Sequence, residues 1–193
     1  MAEGLPIAAV STATALFPAP TYAIMVDAPN PRKHPRGHGE DIEDKLRRSD
    51  VIPVTCDSFA KRFNPYPNTV AFKTYTPHNV IDDRRPFHDG DGVAWVLNRS
   101  MPCAVQWLAK KFDCLIFCGC DLAEDKGHVG GISGHHFDGR KKGMLREVSL
   151  LRAWYKIITD RGDTWLSWTP DPSPLNEFMA PYEPGRFAST SKK

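Results

Sequence analysis

The stretch "CLIFCGCDLAEDKGHVGGISGHHF" (114–137) sets three cysteines, three acids and three histidines behind and within an apolar run. Cys118, Cys120, Asp121, His128, His135 and His136 are all of metal-ligand type. Their spacing argues against a metal, because neither zinc-ribbon nor His-Glu-x-x-His spacing occurs and the chain has no Cys-x-x-Cys. Histidine titrates near neutral pH and so suits a general base. His135 and His136, in a Gly/Ser-flanked loop after a strand end, are the candidates, and His128 reads as a surface residue. Asp121 closes the apolar run. A carboxylate there must accept hydrogen bonds, from backbone amides of a braced loop or from a ribose hydroxyl, and both remain open. Gly119 allows close backbone approach, to a ligand or to a neighbouring element.

These residues need elements to hold them. "PIAAVSTA" (6–13), "TYAIMVDAP" (21–29), "DVIPVTC" (50–56) and "NTVAFKTY" (68–75) read as strands, each apolar and bounded by turn residues. "EDIEDKLRRS" (40–49) reads as a short helix with acids first and bases last. Residues 76–92 read as a long polar loop. "SMPCAVQWLAKKF" (100–112) places Ala104, Trp107, Leu108 and Phe112 at helical spacing, with Ser100 as N-cap. "DCLIFCGCDL" (113–122) has the continuous hydrophobicity of a strand buried on both faces. The helix expected over 141–162 carries a stripe of Leu145, Val148, Leu151, Tyr155 and Ile158, with Gly162 as its stop. "DTWLSWTP" (163–170) is the next strand.

Helix, strand, loop, helix, strand is a βαβ order. It predicts an α/β, Rossmann-like fold: a mostly parallel sheet flanked by helices in a single domain over 1–182, with a flexible tail at 183–193. Ligands of such sheets bind beyond the carboxyl ends of the strands. Composition agrees with a globular chain, at 41% apolar and 25% charged. A net charge of +2 gives no global electrostatic case for nucleic acid or an anionic membrane. No segment reaches the ~18 uninterrupted apolar residues that span a bilayer. Three of five cysteines in one apolar run read as reduced, buried thiols, which places the chain in the cytoplasm.

With these elements laid out, "NRSMPCAVQWLAKKFDCLIFCGCDL" (98–122), a His-bearing loop, a long helix and "WLSWTPDPSPLNEF" (165–178) together resemble a known family. It is that of the bacterial CMP-sialic-acid-dependent sialyltransferases, with the broader phage and bacterial Rossmann-like glycosyltransferase-type proteins related to them. The likeness covers roughly residues 93–182. It implies a transferase that binds a nucleotide-sugar as co-substrate and passes the sugar to an acceptor hydroxyl, with no separate cofactor and no metal. The resemblance gives the base to His135 or His136. It gives nucleotide-side contacts to Asn98, Arg99, Ser100, Gly119, Asp121, Thr169 and Ser173, and looser ones to Ser11 and Thr12. The sequence departs from the family in lacking its first strand and Gly-x-Gly-Pro-Ser turn. It also has Asn-Arg-Ser where the family has a Thr-Ser-Gly-like turn, and one extra residue before Ser173. Those departures motivate the alternative: a shortened, catalytically inactive relative that binds a nucleotide or acts as a structural protein, through a protein partner or self-association.

Overall fold

The structure, a computed structural model, describes residues 5–11, 13–26, 38–60, 66–75, 92–94, 100–120, 137–169 and 173–184. It is α/β, with two all-parallel sheets flanked by helices, the Rossmann-like class expected from the element order. The described residues divide into two compact units, 5–110 and 111–120 with 137–184.

In the N-terminal unit five strands lie in chain order, each parallel to the next: β1 Ala8–Val10, β2 Tyr22–Ile24, β3 Ile52–Cys56, β4 Val70–Tyr75 and β5 Gly92–Ala94. Side chains alternate across a strand, so a sheet covered on both faces needs apolar residues at both parities. The central strands supply them. Ile24, Val26, Val54, Cys56, Phe72 and Val93 share one face and pack on Cys103, Ala104 and Trp107 of α4 (Ser100–Ala109). Ala23, Met25 and Val51 serve the other, under Ile42 and Leu46 of α2 (His38–Leu46) and Tyr66. Each large side chain buried this way contributes roughly 1.5–3 kcal/mol. Lys45 of α2 donates to the carbonyls of Thr14 and Ala15, which ties down the short α1 (Ala13–Leu16).

Gln106 holds the end of this sheet. Its Oε1 accepts from the Ala94 N–H at 2.7 Å and its Nε2 donates to the Ala94 carbonyl at 3.0 Å. The same Nε2 lies 3.1 Å from the Pro102 carbonyl. A buried primary amide thus takes the place a further strand would occupy beside Ala94.

The C-terminal unit has a three-stranded parallel sheet in the order β6 (Cys114–Cys118), β7 (Thr164–Trp168), β8 (Ala180–Pro181). Between β6 and β7 runs α5, Phe137–Asp160. It ends as the sequence indicates: Gly162, at φ +89°, donates to the Thr159 carbonyl at 3.0 Å, and Asp163 donates to that of Ile158 at 3.2 Å. These two bonds are those of a Schellman cap, whose left-handed residue favours glycine. A 3₁₀ turn, Pro174–Glu177, follows β7. It is held to α5 by an Arg152–Glu177 ion pair, by Arg152 over the Phe178 ring at 5.2 Å and by Tyr155 edge-on to that ring.

Several expectations need correction. β6 is not buried on both faces: Phe117 alone is buried, Leu115 and Ile116 are half-buried, and Cys114 and Cys118 are exposed. The reason is its place at the end of the three-strand order, which leaves it one neighbour among the described residues. The buried stripe of α5 runs through Glu147, Leu150, Leu151, Trp154 and Ile158, whereas Leu145 is exposed. Steps of three and four from Leu151 and Ile158 lead equally to Trp154 and to Tyr155, and the indole takes the core. Ser100 is the first residue of its helix rather than the cap before it. α1, β5, β8 and α3 (Asp57–Ala60) were not foreseen. Among the described residues no helix is long and apolar enough to cross a membrane.

Candidate functional site

Parallel pairing of β6 with β7 puts their carboxyl ends side by side, with Cys118 beside Trp168. The pairing continues one step past the strands, where the Gly119 N–H donates to the Trp168 carbonyl at 3.4 Å. Gly119 turns there at φ +65°, a left-handed conformation that glycine adopts without steric cost. Among the described residues nothing stands within 4 Å of where its side chain would be, so conformation rather than crowding calls for glycine.

The loop after β7 is anchored to the loop after β6 by Ser173. Its hydroxyl donates to the Cys120 carbonyl at 3.1 Å and accepts from the Leu175 N–H at 3.3 Å, capping the 3₁₀ turn. One buried hydroxyl therefore joins both loops and starts the element that follows. Thr169 belongs to a second cluster. Ser167 Oγ donates to Asn176 Oδ1 at 2.6 Å. Thr169 Oγ1 lies 2.5 Å from Ser167 Oγ and 3.1 Å from Asn176 Oδ1, and Asn176 Nδ2 donates to the Thr169 carbonyl at 3.4 Å. Each hydroxyl has one proton. Ser167 gives its own to Asn176, and Thr169 donates within the same cluster. Two hydroxyls and one amide thus form a small uncharged network at the end of β7.

The nearby thiols are neutral at physiological pH. Cys118 and Cys114 stand partly open to solvent, yet the burial around their sulfurs raises both above the usual thiol range. Desolvation penalises a thiolate, so neither has the environment of an activated nucleophile.

The structure brings Gly119, Thr169 and Ser173 together, as the strand order implied. Ser11 and Ser100 lie in the N-terminal unit. Ser11 follows β1 at φ +55°, donates to the Ile24 carbonyl at 3.0 Å and accepts from the Thr14 N–H at 3.0 Å, which folds the chain tightly into α1. Thr12, Asn98, Arg99, Asp121, His135 and His136 fall outside the described residues. Asn176 and Ser167 were missed from sequence. Asn176 has a signal in retrospect, since it lies three residues after Ser173, inside the turn that Ser173 caps. Among the described residues no group of three or more His, Cys, Asp and Glu could hold a metal ion. No family model, curated protein or solved structure matches the chain.

Proposed function

We propose that the carboxyl ends of β6 and β7 bind a nucleotide or nucleotide-sugar, and that the chain is a glycosyltransferase of the sialyltransferase-like kind. The observation that carries this reading is the bond from Ser173 Oγ to the Cys120 carbonyl, which holds two glycosyltransferase-like motifs against one another. Gly119 beside it carries no side chain to stand between the backbone and a ligand. The Ser167–Thr169–Asn176 cluster supplies uncharged donors and acceptors of the type that suits ribose or sugar hydroxyls.

In the reaction, the acceptor oxygen bonds to the anomeric carbon as the glycosyl–phosphate bond breaks. The nucleotide leaves with that electron pair, and the acceptor proton passes to a base. His135 or His136, in the segment after β6, is the base the resemblance supplies. A histidine near its ordinary pKa is matched to this transfer at neutral pH.

A second reading has its own support. The protons of Ser173 and Ser167 are already committed to internal acceptors, as a purely structural brace requires. This favours the inactive, nucleotide-binding relative.

Thermal-shift titration with CMP, UDP, GDP and their sugar conjugates tests the shared premise. A bound nucleotide raises the melting temperature by mass action, and no rise with any of them rejects both nucleotide readings. Turnover then separates the two. In an active transferase either His135→Ala or His136→Ala abolishes sugar transfer while nucleotide binding holds. Binding without any transfer by the unaltered chain selects the inactive relative.

A further inference from the structure

Four large apolar side chains stand exposed among the described residues: Leu5, Val70, Leu145 and Trp168. Single exposed aliphatic residues are ordinary on any surface. Trp168 differs in size, in position and in how it is held. It is the last residue of β7, one step before Thr169, and is 52% exposed. Register places Cys118 beside it on β6, and Tyr182, directly after β8, on its other flank. The Tyr182 N–H donates to the Ser167 carbonyl at 2.8 Å, extending the pairing. The tyrosine ring meets the indole edge-on, with centroids 5.6 Å apart at 63°. Cys118, Trp168 and Tyr182 therefore form one row across the carboxyl edge of the sheet, with the indole in the middle and the buried phenol bracing it.

We propose that Trp168 is the platform on which the base of the bound nucleotide stacks. The inference rests on the reading given under Proposed function and assigns that site a residue it lacked. Three features favour a planar, uncharged ring as the occupant. The indole is braced from the side and stays open, so stacking requires little further ordering of the protein. Burial disfavours the ionised form of the Cys118 thiol beside it, so that neighbour puts no anion against the ring. Gly119, whose N–H donates to the Trp168 carbonyl, adds no side chain to the end of the strand pair. Alternation along β7 sends Ser167 and Thr169 to the opposite side from Trp168. A ligand crossing the end of the strand thus meets an aromatic surface on one side and hydroxyls on the other, the two chemistries of a nucleoside.

The test titrates the full chain with CMP, UMP, AMP, GMP and ribose 5-phosphate, following tryptophan fluorescence and binding heat. Trp107, Trp154 and Trp165 are buried, and a quench that Trp168→Phe abolishes reports on Trp168 itself. At least one nucleotide should quench the unaltered protein saturably, and ribose 5-phosphate should bind at least fivefold more weakly. Trp168→Leu should weaken nucleotide binding about five- to 150-fold, the range for losing one base stacked on an aromatic ring, and leave ribose 5-phosphate unchanged. Trp168→Phe keeps a ring at the site, so it should retain most of the affinity while losing the quench. Undiminished nucleotide binding by Trp168→Leu would remove the platform and leave the nucleotide site standing, as would equal affinity of the unaltered protein for ribose 5-phosphate. No nucleotide binding by the unaltered protein would overturn the site and the platform together.

Discussion

Gln106 gives both ends of its side-chain amide to the backbone of Ala94, and the cost of removing it follows from what is left behind. Gln106→Leu puts an apolar side chain of similar size on α4 but strands the N–H of the fully buried Ala94, and leaves its carbonyl only the weak Cys103 thiol donor. An orphaned buried group costs about 1–3 kcal/mol. With part of that loss offset by added apolar burial, the variant should be about 1–3 kcal/mol less stable, read from urea unfolding. Thr55 is the opposite case: its hydroxyl is buried with no hydrogen-bond partner among the described residues. Thr55→Val puts a methyl in the same volume and removes an unmet polar group, so its urea midpoint should rise, by about 1 kcal/mol. Neither effect is visible in the sequence. A glutamine within "PCAVQWLA" marks a polar position on a helix and says nothing of a strand edge twelve residues upstream.

At the scale of elements, Ser173 and Gly119 share one corner but answer to different physics. Ser173→Ala removes the cap of the 3₁₀ turn and the hydroxyl bond to the Cys120 carbonyl, and should cost about 1–2 kcal/mol. Gly119→Ala introduces no clash and should cost about 1 kcal/mol through the left-handed backbone alone. Thermal melts of both variants check this, and a cost for Gly119→Ala well above that of Ser173→Ala would mean that the corner is more crowded than the structure shows. The elements that position these residues were legible wherever a pattern ran long enough. α4, α5, β3, β4, β6 and β7 each carry five or more residues of consistent periodicity. β1 and β2, three residues each, were legible because longer apolar runs bounded by turn residues surround them, whereas β5, β8 and α1, of two to four residues, lie in no such run read as their own element. In α5 the helix and its Gly162 stop were readable, yet the buried face was read one position off, because Trp154 and Tyr155 are adjacent aromatics of similar hydrophobicity. Only packing against the sheet decides between them.

For the molecule as a whole, the parallel strand order carried the most information. A parallel pair joined through a helix brings two strand ends and their loops together, so the proximity of Gly119, Thr169 and Ser173 followed from topology before any side chain was placed. Trp168 and Asn176 did not follow, because an exposed indole and a turn amide look in sequence like a core residue and a spacer. The division into two units, each with its own sheet and buried residues, makes the location of binding measurable. Backbone amides exchange with solvent through local openings whose free energies differ from one cooperative region to the next. A ligand that binds only the folded form of one region adds its binding free energy to the openings of that region. At a hundredfold excess over the dissociation constant this amounts to about 2.7 kcal/mol, or roughly a hundredfold slower exchange. Saturating nucleotide should therefore slow hydrogen exchange in β6, β7 and the Pro174–Glu177 turn, with Gly119, Thr169 and Leu175 among the most protected amides. Mass-spectrometric exchange resolves these segments as peptides. Protection confined to β1–β4, with β6 and β7 unchanged, would move the nucleotide away from the corner built by Gly119 and Ser173 and withdraw the role proposed for it.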